Sequence, residues 1–248
     1  MTDESTQRPG ERVFLSAEWR DLVMLNYEVD PHVLQPHVPP ATELDSFDGC
    51  TFVSLVGFRF LRTKLFGAIS APFHANFDEI NLRFYVRRTV AGEVRRGVVF
   101  IREIVPRAAI AVVARLVYGE KYSSYPMRHS VNTSVSDGMA RYEWKLGGSW
   151  CGLEAHLSGS SSPATEGSLE QFITEHYWGY SARRAGGTLE YHVSHLAWRI
   201  WSSRQAAFHG NADALYGSAL GAVIRRQPDS AFVADGSPVL VFSGKRIS

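Results

Sequence analysis

Four polar side chains able to handle charge and protons recur at every second position of one short stretch: Glu79, Asn81, Arg83 and Tyr85, with Ile80, Leu82, Phe84 and Val86 interleaved. Strict alternation marks a β-strand, because successive side chains leave opposite faces of the pleat. Asp78–Arg88 is therefore read as a strand carrying a carboxylate, an amide, a guanidinium and a phenol in line on one face. Glu79 and Arg83 are about 13 Å apart along it, at roughly 3.3 Å per residue. They cannot pair without reaching over Asn81, but they could hold opposite ends of one small ligand. Two readings stay open: a solvated outer face, as on many antiparallel strands, or the lining of a barrel interior. The plain alternative for each charge is a cross-strand ion pair.

Other groups are weighed in the same way. Arg115 is the single charge in AIAVVARLVY, residues 109–118, and reads either as a buried ion-pair partner or as an anion-binding group. Lys121 adjoins Glu120, an arrangement that in its plain form is a solvated surface pair. The nine histidines include His74 and the pair His192 and His195. On a strand, positions i and i+3 face opposite ways, and no His-Glu-x-x-His occurs, so no metal is expected. Gly217-Ser218-Ala219 lacks the strand-turn-helix context of a nucleophile elbow. Glycine-rich phosphate fingerprints are missing too, and no cofactor is called for.

These side chains must be positioned by a β-rich framework. Arg20–Val29, Thr51–Arg62, Gly97–Val105 and Ala109–Tyr118 are rich in β-branched and aromatic residues and are separated by Gly or Pro. Thr133–Leu146 and Ser149–Leu157 form a hairpin around Gly147-Gly148, and Ser158–Gly167 reads as an exposed loop. Thr188–Trp198 alternates, with Leu189, Tyr191, Val193, His195 and Ala197 on one face, and Val239–Ser243 closes the chain as a last strand. Asp30-Pro31 starts a short helix to about His37. Ser168-Leu169-Glu170-Gln171 has the form of a capping box, predicting a helix over Leu169–His176. The total is eight or nine strands with two or three short helices, an antiparallel barrel or sandwich.

With 26 Lys+Arg against 25 Asp+Glu, no strong field would draw the protein to nucleic acid or anionic lipid. Only Cys50 and Cys151 occur, without spacing for a disulfide framework or a zinc site. No apolar run is long enough for a membrane span and the first residues lack the order of a signal peptide, so the expected compartment is the cytoplasm. Residues 1–12 read as a disordered tail, and 13–248 as a single domain.

Several stretches resemble the YqjF-like family of the acetoacetate decarboxylase-like superfamily. They are Trp19-Arg20-Asp21-Leu22; Val29-Asp30-Pro31 with Leu34 and Val38-Pro39; Leu44-Asp45 and Asp48-Gly49; Phe77–Val86; Gly97-Val98-Val99-Phe100; Ala114-Arg115 with Tyr118 and Tyr122; and Phe172, Glu175, Tyr177, Tyr180, Val193, His195 and Trp198. The resemblance implies a curved antiparallel β-barrel with a central cavity. Decarboxylase-type relatives use a lysine that forms a Schiff base with a keto group, which requires a neutral amine.

Carried over by position, the family's first-strand arginine falls on Arg20 and its glutamate on Glu79. An ungapped placement puts Tyr122 on the reactive lysine and Lys121 one residue before it, a shift that points Lys121 to the other face unless a bulge corrects it. The resemblance thus implies a lyase-type enzyme of keto acids or related carboxylates, with Lys121, Glu79 and Arg20 as candidate catalytic groups. Arg83, Asn81, Tyr85, Arg115, Tyr122 and His195 are candidate ligand-binding groups. The alternative is a non-catalytic metabolite-binding barrel. A small-molecule ligand is the expected partner, and self-association is left open.

Overall fold

A computed structural model describes residues 8, 10–66, 69–70, 75–106, 122–134, 137–183 and 185–248. His74, Arg115, Lys121 and the strand expected at Ala109–Tyr118 lie outside them. The described chain runs β1 (Val13–Val29), α1 (Pro31–Leu34), β2 (Glu43–Leu44), β3 (Thr51–Leu65), β4 (Ile69–Ser70), β5 (Phe77–Val90) and β6 (Glu93–Val105). It continues with β7 (Tyr122–Ser124), β8 (Met127–Asn132), β9 (Met139–Leu146), β10 (Ser149–Pro163), α2 (Leu169–Thr174), β11 (Trp178–Ala182) and β12 (Thr188–His195). The last elements are β13 (Arg199–His209), α3 (Asp213–Ile224), β14 (Ser230–Phe242) and β15 (Lys245–Ile247). None of the described helices is long and apolar enough to cross a membrane.

The expected antiparallel, β-rich architecture with short accessory helices is what the structure has, with more strands than expected. Its central feature is a ring. Neighbouring strands follow the order β12-β11-β6-β5-β3-β1-β14, and β14 pairs again with β12 through Val241↔Val193 and Val239↔His195. All these joins are antiparallel except β11–β6, where Trp178 pairs with Gly97 and Gly179 with Val98 in parallel. Closure removes the open strand edges that a sheet would otherwise expose. From β14 the sheet also extends through β13, β10, β9 and β8.

The alternation of β5 sorts its residues between two cores. Ile80, Leu82, Phe84 and Val86 join Val53, Leu55, Tyr142, Trp144 and Leu153 in a cluster closed by Leu215 and Leu220 of α3. Tyr85 lies on the other face, in a cluster with Met24, Val56, Phe58, Val98, Val239 and the α2 residues Phe172 and Ile173.

Both predicted helix starts are formed. The Asp30 carboxylate accepts from His32 N at 2.9 Å. Ser168 Oγ accepts from Gln171 N at 3.2 Å, and Gln171 Oε1 accepts from Gly167 N at 2.8 Å, so the box closes one residue early.

Two expectations are corrected and one element is added. Ser158–Pro163 belongs to β10, because Ser158, Ser162 and Pro163 pair with Ser202, Ile200 and Arg199; tertiary pairing overrides a loop-like composition. The closing strand is not Val239–Ser243 but the longer β14 followed by β15. Helix α3, which carries Ser218, had no sequence expectation; Gly217 interrupts it at φ 77°, and such glycines weaken a helical signal.

Two polar clusters fasten the outside of the ring. Glu190 of β12, whose side chain is fully buried, accepts from Arg88 at 2.9 Å, Arg95 at 2.8 Å and the Tyr180 hydroxyl at 3.4 Å, with Lys245 at 3.3 Å. Residues 1–7 and 9 of the expected tail are outside the described residues, but Arg8 donates to Glu93 at 2.6 Å and stacks over Trp178. Glu11 lies 2.9 Å from Nδ1 of buried His192.

The parallel seam yields a test. A Cβ at Gly97 would sit 2.7 Å from the Trp178 carbonyl oxygen and 2.6 Å from the Tyr180 ring. Gly97→Ala is expected to lower the free energy of urea unfolding by about 1–3 kcal/mol, the usual cost of overpacking, with an unchanged m-value.

Candidate functional site

The polar face of β5 is buried. Glu79 and Asn81 are each 3% exposed, Arg83 8% and Tyr85 1%, so the solvated reading is excluded. Their neighbours across the ladders, Phe58, Val56 and Ser54 on β3, share the same face. Burying a carboxylate and a guanidinium costs several kcal/mol each unless they are paired or hydrogen-bonded.

Glu79 is held at one end. Asn81 Nδ2 donates to its Oε1 at 3.2 Å, and the Tyr122 hydroxyl on β7 donates to its Oε2 at 3.3 Å. Three candidate residues are thereby in direct contact. Tyr122 reaches this place because β7 pairs in parallel with β6, setting it opposite Glu103, which in turn pairs with Asn81.

Arg83 is differently placed. Its Nη2 donates to the Ile173 carbonyl of α2 at 3.0 Å, and its guanidinium lies 5.7 Å from the centre of the Tyr85 ring. Its Nε has no hydrogen-bond partner among the described residues, and neither does Asn81 Oδ1. Tyr85 is committed to the framework: its hydroxyl is 2.6 Å from Ser54 Oγ, which donates to Asn26 Oδ1 at 2.7 Å.

Two groups that sequence reasoning missed complete the face. His176, just beyond α2, packs 4.7 Å from the Tyr85 ring and edge-on to Phe172 at 5.1 Å. Neither of its ring nitrogens has a hydrogen-bond partner among the described residues. Asp45 Oδ2 is 3.8 Å from His176 Nε2 and 3.2 Å from Arg96 Nε.

Burial lowers the His176 pKa and Arg83 and Arg96 lower it further, against the pull of Asp45. Burial alone would raise the Asp45 carboxyl, but His176, Arg96 and the Ser46 backbone together hold it below the ordinary carboxylate range. Asp45 lies in the Leu44-Asp45 stretch that carries the resemblance, and His176 is the last residue of the helix expected from the capping box. Only the burial of both places them beside this face.

His195 lies nearby. Its Nδ1 is 2.9 Å from the Leu196 carbonyl, and its ring stacks on Trp198 at 4.5 Å and lies 4.8 Å from Tyr177. Burial, aided by the positive charge of Arg83, pushes its pKa down to about 4 despite hydrogen bonds to the Leu196 and His176 backbone.

Arg20 is not brought to this face. Asp21 adopts φ 58° and the register with β3 shifts between Arg20 and Val23, a bulge that offsets the alternation. Trp19, not Arg20, therefore shares a cluster with Leu22 and Met24. Arg20 instead donates to Glu18 at 3.1 Å and to the Gly236 carbonyl at 3.2 Å, with its side chain 34% exposed. His192 and His195 do not converge, and among the described residues no three His, Cys, Asp or Glu side chains gather into a group that could hold a metal.

The profile of the DUF2071 family, described as an uncharacterised conserved protein, matches residues 16–238. The chain belongs to that family. The uncharacterised protein YqjF of Bacillus subtilis (strain 168) is 26% identical over 170 residues. That match spans 67% of this chain and 66% of the relative, just under two thirds of its length. An acetoacetate decarboxylase-like enzyme from Sphingomonas wittichii RW1 superposes with a TM-score of 0.68 at 13% identity, covering 95% of this chain and 93% of the other. The enduracididine biosynthesis enzyme MppR complexed with pyruvate gives a TM-score of 0.66 at 14% identity, covering 98% and 92%. At these identities the likeness establishes the fold that this DUF2071 chain shares with them.

The depressed pKa of His195 couples its protonation to stability. The unfolded imidazole takes up a proton near pH 6.5 and the native one only near 4, so the unfolded state binds more protons between those values and stability falls as pH drops through that window. The His195 share is about 3 kcal/mol. His195→Asn should show a shallower loss of urea-unfolding free energy between pH 6.5 and 4 than the parent.

Proposed function

We propose that the buried face Glu79–Asn81–Arg83, with His176 and His195, binds a small carboxylic acid of the keto-acid class or a related carboxylate. The observation that carries this reading is Arg83, a buried guanidinium that, among the described residues, donates to a backbone carbonyl and whose Nε is unmatched. A carboxylate offers both the charge and the in-plane oxygen that such a group lacks. Glu79, tied to Asn81 and Tyr122 at the other end of the row, is suited to receive or return a proton beside that ligand. The complex of MppR with pyruvate supports the choice of ligand class by analogy of fold.

On this reading the protein is a lyase-type enzyme if Lys121 supplies an amine: the amine adds to the ligand carbonyl, water leaves, and the iminium accepts the electron pair released when a carboxylate departs as carbon dioxide. A second reading, a metabolite-binding barrel without chemistry, is favoured by Tyr122. Its hydroxyl reaches Glu79 from the position that an ungapped resemblance gives to the reactive lysine.

Titration calorimetry with pyruvate, acetoacetate and longer keto acids tests the site. Arg83→Met is expected to weaken binding at least tenfold, about 1.4 kcal/mol; equal affinity in parent and variant would remove Arg83 from the site. Borohydride reduction with the same acids, followed by peptide mapping, separates the two readings. A mass increase on Lys121 supports the imine enzyme, whereas Arg83-dependent binding with no adduct supports the binding barrel.

A further inference from the structure

His176 is the least satisfied group on the buried face. An imidazole nine-tenths buried with two unmatched nitrogens forfeits hydrogen bonds that water would supply, and native structures leave such groups only for a reason. Asn81 Oδ1 and Arg83 Nε also have no hydrogen-bond partner among the described residues, and Asp45 Oδ2 is ion-paired with Arg96 at 3.2 Å. They follow one another along the same side of the fold: Asn81 and Arg83 on one face of β5, then the Tyr85 ring, with Arg83 5.7 Å and His176 4.7 Å from its centre. Asp45, whose backbone N–H donates to the Tyr85 carbonyl at 3.0 Å, stands behind His176.

The charges around His176 also set its proton. Cationic Arg83 and Arg96 and the apolar rings of Tyr85 and Phe172 keep the imidazole neutral, so one nitrogen donates and the other accepts. The nearest anion, Asp45 Oδ2, lies on the Nε2 side at 3.8 Å and favours the proton there. Nδ1 is then a buried acceptor with no donor among the described residues.

We propose that His176 Nδ1, with its tautomer fixed by Asp45, accepts a hydrogen bond from a ligand hydroxyl while Arg83 holds the ligand carboxylate, so that the site selects hydroxy acids over the corresponding oxo acids. The inference rests on reading the face as a carboxylate site, but not on Lys121. An oxo oxygen can only accept, and opposite Nδ1 it would leave two acceptors facing each other. A hydroxyl donates its hydrogen to Nδ1, and both lone pairs of its oxygen stay free to accept from other donors. His176 would thus touch the ligand directly, and Asp45 would act through it as a positioning residue.

The test uses matched pairs, lactate with pyruvate and 3-hydroxybutyrate with acetoacetate, titrated into the intact protein by calorimetry. The hydroxy member is expected to bind roughly tenfold tighter, the scale of one well-formed hydrogen bond. His176→Phe, which keeps a ring between Tyr85 and Phe172 but removes the acceptor, should bring the ratio to about one. Asp45→Asn, which can present a donor to Nε2 and so free the proton for Nδ1, should narrow or invert it.

Nitrogen-15 shifts of the His176 ring in the free protein give a readout that needs no variant: protonated Nε2 and bare Nδ1 are expected. Oxo acids binding as tightly as their hydroxy partners, or a proton found on Nδ1, would overturn the selectivity while leaving the carboxylate site standing if affinity still depends on Arg83. No binding by any of the four acids would overturn the carboxylate reading itself.

Discussion

The constraint on which the rest depends is the removal from water of one row of ionisable side chains. A strand carrying Glu79, Asn81 and Arg83 at alternate positions can be buried on both faces only if its polar side is given partners that replace solvent. The ring does this unevenly. At the Glu79 end Asn81 and Tyr122 supply donors, and in the middle Ser54 and Asn26 take up the Tyr85 hydroxyl. At the Arg83 end, among the described residues, there are one backbone carbonyl and several unmatched nitrogens. Among the described residues the unmatched nitrogens of the row gather at the Arg83 end, and it is there that the proposed recognition would take place.

Helix α2 is what makes that open end dry. It is only six residues long, too short to be stable alone, and is held by what it touches: its Ile173 carbonyl by Arg83, and Phe172 by Tyr85, Phe47 and the Arg96 guanidinium. The same arginine that is suited to an anion therefore also fastens the element that shields it. Any ligand that draws Arg83 toward itself acts on the helix through that one hydrogen bond.

Much of the framework was legible in local pattern. Alternation marked β5, and the Asp30 and Ser168 caps marked the starts of α1 and α2, because each is decided by residues within a few positions. What local pattern could not reveal is decided at long range. The two-residue parallel seam at Gly97 and Gly179 and the second pairing of β14 depend on how the ring closes. Ser158–Pro163 is a strand only because Arg199–Ser202 lies beside it. The bulge at Asp21 sends Trp19 inward and Arg20 outward, the reverse of what unbroken alternation from Leu22 and Met24 would give. His176 and Asp45 come from segments about 130 residues apart by their numbering and meet only around the Tyr85 ring.

Glu190 binds five strands to one carboxylate: its own β12, β5 and β6 through Arg88 and Arg95, β11 through Tyr180 and β15 through Lys245. Its loss would leave three cations facing one another, and the loss of any one cation would leave a buried anion short of a partner. These positions are therefore not free to drift singly. Across descendants of this sequence they should be kept or exchanged as a set, and a lineage that has lost the acid should also have neutralised its arginines, a trace of packing that would be visible in genomes with no structure at hand.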